Sequence, residues 1–127
     1  MDIFRDKLYS ILERFEIVKE KLNNSTKFDQ NESISLSKEF SNLNELASII
    51  KLFFSKEKEL SDLQELLDSS DDNEIKSIAE SEYLDLKNEI QDIEYQIKIY
   101  VNKIHLLIIM LIHDKFSIIV NELYNTV

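Results

Sequence analysis

The residues most suited to acid–base or metal chemistry lie near the C-terminal end of the sequence: His105, His113 and Asp114. Imidazole and carboxylate groups bind metal ions and transfer protons. On one helix the two histidines would be about two turns apart, too far for one metal ion. The 25 acidic residues form many pairs, but none lies in an apolar setting suited to acid–base catalysis. We therefore assign no catalytic, cofactor-binding or metal-binding residue, and no cofactor.

Three residue types are missing from the 127 positions: glycine, proline and cysteine. Phosphate-binding loops and the serine-hydrolase elbow are built on glycine, so these sites and the Ser-His-Asp triad are excluded. Without cysteine there is no disulfide, thiol nucleophile or thiolate metal site. We therefore expect that the chain is not an enzyme. The missing turn formers also argue against a hairpin-rich β fold and favour long helices.

Charge and hydropathy restrict the partners and the compartment. The net charge of −10 disfavours binding nucleic acid through its phosphates, and Lys56 and Lys58 alternate with Glu57 and Glu59. The N-terminal residues lack the apolar core of a secretory signal. The longest apolar run, residues 106–112, is much shorter than the about twenty residues that cross a bilayer. We expect a protein that binds neither nucleic acid nor membrane directly.

Apolar residues recur at steps of three and four in three segments, the spacing of one buried helix face. The first two segments predict helices over 2–22 and 32–67, and a helix as long as the second needs two partners. The polar segment 68–73 separates the second helix from the third. Asp71, three residues before Glu74, predicts a capping box there. The three stripes consist of Phe4, Leu8, Ile11, Phe15, Val18 and Leu22; Leu36, Phe40, Leu43, Ala47, Ile50 and Phe54; and Leu86, Ile90, Ile93, Ile97, Tyr100 and Ile104.

These elements predict an all-α fold, an antiparallel helical hairpin or three-helix bundle with long, coiled-coil-like helices. The expected domain covers residues 1–104, and 105–127 form a divergent apolar tail. Over 104–120 the apolar fraction rises and one-sided periodicity disappears. Such a segment should be buried, paired with another chain or prone to aggregate. Helix–helix self-association through the tail is one expected outcome.

A series of short segments occurs in a characteristic order. Leu-Ser-Lys-Glu-Phe at 36–40 precedes Glu-Leu-Leu at 65–67, the acidic turn at 71–72, and a helix opening that contains Glu74 and Ala79-Glu80. In this order and spacing, residues 4–104 resemble the N-terminal helical domain of the bacterial peptide chain release factor 1 family. The resemblance implies translation termination at stop codons in the cytoplasm. It also implies the ribosome as partner, near the stalk of the large subunit.

The sequence also departs from that family. The family's hydrolytic loop is Gly-Gly-Gln and its codon-reading tripeptide contains proline, so neither can occur here. Its Leu-Leu-Pro-Lys-Asp-like turn is replaced by apolar residues after Leu106. We therefore expect a truncated fragment without the peptidyl-tRNA hydrolysis loop, such as a reading-frame change would leave. The alternative, from another functional class, is a stand-alone helical coiled-coil adaptor that binds a protein partner.

Overall fold

The computed structural model describes residues 2–24 and 30–126. Within them the chain forms three helices, α1 (Ile3–Asn23), α2 (Gln30–Ser69) and α3 (Asn73–Asn125), and no strand. The predicted all-α class is confirmed, and the bounds predicted for the first two helices are correct to within two residues. Part of the predicted first loop, residues 25–29, lies outside the described residues. The finer hairpin or bundle arrangement stays a prediction.

The chain divides into two compact units, Met1–Ile97 and Lys98–Val127. The first contains α1, α2 and the part of α3 up to residue 97. The second contains the rest of α3. The predicted domain boundary at residue 104 stays a prediction.

The first helix begins at an aspartate cap and buries one face. The Asp2 carboxylate accepts a hydrogen bond of 3.2 Å from the backbone N–H of Arg5, which would otherwise have no partner inside the helix. Leu8, Phe15 and Val18 are buried. They belong to the stripe that the sequence predicts, so heptad-like spacing correctly identifies the inner face of α1.

The second helix buries a broader face than its predicted stripe. Leu36, Ala47 and Ile50 of that stripe are buried, and so are Leu46 and Phe53, which form a second row beside it. The helix has contacts with both α1 and α3. Phe53 meets the ring of Phe4 in α1 edge-on at a centroid distance of 6.0 Å, and Lys56 lies 3.6 Å from Glu89 in α3. α2 therefore contacts both neighbours, as its length requires.

The predicted capping box at Asp71 is wrong, as the hydrogen bonds at the start of α3 show. The carboxylate of Asp72, not that of Asp71, accepts hydrogen bonds from the backbone N–H groups of Glu74 (2.9 Å) and Ile75 (3.4 Å). The hydroxyl of Ser70 in turn accepts a 3.3 Å hydrogen bond from the N–H of Asp72. Asp72 is therefore the N-cap, and the helix begins at Asn73.

The third helix buries its predicted stripe within the first unit. Leu86, Ile90, Ile93 and Ile97 are buried, together with Ala79 near the helix start. Ile75 and Ile78, also near the helix start, are exposed. In the second unit, the apolar side chains of α3 that the structure describes are largely exposed from Leu106 onward.

Candidate protein-interaction surfaces

Two bidentate ion pairs join α1 to α2. Arg5 donates hydrogen bonds of 2.8 and 2.7 Å to the two carboxylate oxygens of Glu57, and Arg14 donates bonds of 2.6 and 2.8 Å to those of Glu39. These are the only two arginines in the sequence. Arg14 donates from two nitrogens, Nε and Nη2, one to each oxygen, a planar fork that a lysine ammonium cannot form. Arg5 donates both of its bonds from Nη2. Both arginines are therefore used to fix the packing of α1 on α2.

Aromatic rings lie beside these ion pairs. Phe15 of α1 stacks on Phe40 of α2 at a centroid distance of 5.3 Å, and Tyr9 stacks on Phe54 at 4.8 Å. The guanidinium of Arg5 lies 5.4 Å from the centre of the Phe54 ring. Stacked rings and cation–π contacts add to the apolar burial. These aromatic residues pack the two helices together.

The ion pairs shift the pKa values of their members. The hydrogen bond to Glu57 raises the pKa of Arg5, and the hydrogen bond to Glu39 raises that of Arg14. The hydrogen bonds from Arg14 lower the pKa of Glu39, although partial burial opposes the shift. Each shift favours the charged form in the folded chain. These shifts follow from structural pairing, and none marks a group prepared for proton transfer.

The histidines lie on the second unit. His105 and His113 are both on α3 and both exposed. Within residues 2–24 and 30–126, no group of three or more His, Asp or Glu side chains is placed to hold a metal ion. No polar or charged side chain is buried in that part of the chain either. The assignment of no catalytic, cofactor or metal site stays a prediction.

The first unit exposes apolar side chains near its α2–α3 connection. Leu66 near the end of α2 and Ile75 and Ile78 at the start of α3 are each more than two-fifths exposed. We call these three residues the turn-end patch. Exposed apolar residues beside a short connection are candidates for contact with another protein. Polar and acidic residues, including Asp71 and Asp72, form that connection.

The second unit exposes more apolar surface than any part of the first that the structure describes. From Leu106 to Tyr124 it presents ten large apolar side chains that are more than two-fifths exposed: Leu106, Ile109, Met110, Ile112, Phe116, Ile118, Ile119, Val120, Leu123 and Tyr124. Among the described residues, no helix is apolar enough over a sufficient length to cross a membrane. Apolar side chains at this density mark a surface suited to pairing with protein.

Comparison with known proteins identifies the family. The sequence-family model for the PCRF domain matches residues 11–113, which include all of α2 and most of α1. The chain belongs to the PCRF domain family. The match continues along α3 beyond residue 104 to residue 113, so it includes the first residues of the predicted tail.

Relatives of this PCRF domain carry one name, peptide chain release factor 1. The protein of that name from Pelagibacter ubique is 46% identical over 65 residues, which are 50% of this chain and 18% of the relative. The one from Wolbachia pipientis is 36% identical over 86 residues, covering 67% and 23%. The one from Orientia tsutsugamushi is 33% identical over 92 residues, covering 72% and 25%. The predicted resemblance is confirmed, and the chain spans about a quarter or less of these relatives.

No solved structure matches this PCRF domain. The sequence interpretation found the stripes and the family but missed the ion pairs between α1 and α2. A signal for them was present, because Arg14 precedes Phe15 and Glu39 precedes Phe40. Each charge therefore flanks the seam at a position next to one of the stacked rings. Opposite charges beside matching seam positions predict such interhelical pairs.

Proposed function

We propose that this PCRF domain acts in translation termination as the N-terminal domain of a peptide chain release factor, with the ribosome as its partner. One observation carries the proposal: the family match over residues 11–113, together with relatives named peptide chain release factor 1. In this role the domain is cytoplasmic and docks the factor. It does not itself hydrolyse peptidyl-tRNA, because the sequence has no glycine from which to build the Gly-Gly-Gln loop.

We infer that the contact lies near the stalk of the large subunit and is made mainly with protein. A domain with a net charge of −10 is repelled by RNA phosphates, so ribosomal protein is the better partner. The turn-end patch offers exposed apolar side chains for such a contact, including Ile78, which is 57% exposed. Apolar anchors at the centre of a small interface commonly supply most of its affinity.

Cosedimentation of the full chain with purified ribosomes tests this proposal. We expect the chain to pellet with 70S ribosomes at low salt, and Ile78→Asp to lower the bound fraction by about tenfold. Leu84→Asp is the matched control, because Leu84 is 61% exposed on the same helix but outside the patch. Absence of association above background at low salt would overturn the ribosomal role. Equal losses from the two variants would overturn the assignment to the turn-end patch.

We also propose that the chain self-associates through its tail. The exposed apolar side chains of the second unit support this proposal, since they are a poor surface for an isolated molecule in water. Self-association would accompany the ribosomal role. A stand-alone adaptor is not favoured, because the family and the named relatives point to release factors. Light scattering of the full chain should show a mass that increases with concentration, and a constant monomer mass would contradict this.

A further inference from the structure

One face of α3 in the second unit carries a regular apolar row. Ile109, Ile112, Phe116, Ile119 and Leu123 follow steps of three, four, three and four, and each is exposed. We call these five residues the tail face. Side chains at these steps form one stripe along a helix, the seam along which two helices pair. Against the expectation for 104–120, one-sided periodicity is therefore present from residue 109 onward.

The opposite side of the same helix is mostly polar. At 100° per residue, Asp114, Ser117, Asn121 and Asn125 lie roughly opposite the tail face. Each of these four residues is exposed. Met110 and Ile118 also lie on that side, so it is apolar in part. Ile118 is 58% exposed, against 54% for Ile119 on the tail face. The segment is therefore an amphipathic helix with a defined pairing side, and Ile118 and Ile119 provide a matched comparison.

We propose that a second copy of this chain covers the tail face as an antiparallel helix partner. In this pair, Phe116 of each copy lies against Ile119 of the other, and Ile112 lies against Leu123. The inference rests on the proposed self-association and adds its orientation and register. A two-fold axis relates the two helices, so each contact occurs twice.

The charges beside the tail face select this arrangement. Lys115 and Glu122 occupy equivalent flanking positions, each one residue before a seam residue, and both are exposed. In an antiparallel pair such positions meet each other, which places Lys115 of each copy beside Glu122 of the other. Opposite charges at flanking positions set partner and orientation in coiled coils. Neither side chain belongs to an ion pair within the part of the chain that the structure describes.

Other arrangements lose this complementarity. Sliding the antiparallel pair by seven residues in one direction places Lys115 beside Lys115 of the other copy. The same slide in the other direction places Glu122 beside Glu122 of the other copy. Like charges placed together disfavour both registers. A parallel pair instead places Lys115 beside Val120, so it forms no Lys115–Glu122 pair. Among these alternatives, the antiparallel register with Phe116 against Ile119 joins the most opposite charges.

Sedimentation equilibrium of the full chain over a range of concentrations tests the tail face. We expect the apparent mass to increase towards that of a dimer as concentration rises. Ile119→Glu should weaken the dimer by at least about tenfold, because it places a charge inside the seam. Ile118→Glu should change the dissociation constant of the dimer little, although it adds the same carboxylate at the neighbouring exposed position. Equal weakening by both variants, or a monomer at every concentration, would overturn the proposal.

Charge reversal tests the orientation and the register. Lys115→Glu and Glu122→Lys should each weaken the dimer several-fold, because each change creates a like-charge pair. The double variant exchanges the two charges and should restore dimerisation to near the original strength. Added salt should reduce the single-variant effects. Failure of the double variant to restore pairing would overturn the antiparallel register.

The results of these experiments distinguish three claims: the antiparallel register, self-association through the tail face, and ribosome binding. A dimer that Ile119→Glu disrupts but that ignores both charge reversals would keep self-association and remove the register. Ribosome cosedimentation of the charge variants reports separately on the release-factor role, since Lys115 and Glu122 lie outside the turn-end patch. Loss of ribosome binding with an intact dimer would likewise leave the tail inference standing.

Discussion

At the scale of single residues, the Arg14–Glu39 pair should make the folded chain sensitive to acid. The pKa of Glu39 lies below its ordinary value of 4.5 because Arg14 donates hydrogen bonds to the carboxylate. A carboxylate with a lowered folded-state pKa adds stability above its unfolded pKa, and that stability is lost as pH falls through the folded-state value. Because the Glu39 side chain is 35% exposed, solvent screening limits its contribution to about 0.5 kcal/mol.

Glu39→Gln tests this acid sensitivity by removing the charge while keeping the side-chain size. We expect the difference in unfolding free energy between the original chain and the variant to shrink by about 0.5 kcal/mol between about pH 6 and about pH 3. Urea titrations at each pH measure it. Glu65→Gln, an exposed substitution on the same helix, should show no such change. A pH-independent difference for Glu39→Gln would contradict the predicted linkage.

The residue that caps α3 gives a second prediction at this scale. Asp72→Ala removes the acceptor for the N–H groups of Glu74 and Ile75, so it should lower the free energy of unfolding by about 1 kcal/mol. Asp71→Ala removes a neighbouring carboxylate of the same type that caps neither group, and should cost much less. Chemical denaturation of both variants measures the difference. A larger loss at Asp71 would restore the capping box that the sequence alone suggests.

At the scale of the helices, truncation to alanine should lower the free energy of unfolding much more at a buried position of α2 than at an exposed one. Ile50 is fully buried, whereas Leu52 two residues later is 45% exposed. Ile50→Ala should lower the unfolding free energy by about 2–4 kcal/mol, since it leaves a cavity that the helices cannot close. Leu52→Ala should change it by less than about 1 kcal/mol. Similar losses at the two positions would show that α2 packs on a different face.

The helices and their inner faces could be predicted from the sequence because periodicity encodes them directly. Every buried residue of α1 falls on the predicted stripe, and so do Leu36, Ala47 and Ile50 of α2. The second buried row, Leu46 and Phe53, could not be assigned with the same ease. Phe53 of this row packs on Phe4 of α1. The stripe residues Phe40 and Phe54 also pack on α1, so a single stripe describes only part of that face.

Features that depend on single hydrogen bonds were harder to predict. Asp71 and Asp72 both have the chemistry of an N-cap, and sequence spacing alone does not show that Asp72 accepts the N–H groups of Glu74 and Ile75. The tail face was missed for a different reason. The window 104–120 contains the run 106–112, which is apolar on every side of a helix and hides the start of the seam at Ile109.

At the scale of the whole molecule, the two units should differ in local stability. The first unit contains every large apolar side chain that is buried among the described residues, whereas the second exposes most of those it carries. A helix without tertiary packing has marginal stability in water, because its own hydrogen bonds only just offset the entropy lost in ordering its backbone. Amide hydrogens of residues 112–125 should therefore exchange at least about tenfold faster than those near Ile50 and Ile97.

Hydrogen exchange followed by mass spectrometry measures this difference, and protein concentration supplies its control. At concentrations where the chain is monomeric, the second unit should exchange fast while the first stays protected. Raising the concentration should slow exchange over 112–125 in the original chain and in Ile118→Glu, but not in Ile119→Glu, because only the latter disrupts the proposed seam. Uniform protection along the whole of α3 in the dilute chain would mean that the tail is held by contacts within one molecule, which would remove the need for a second copy.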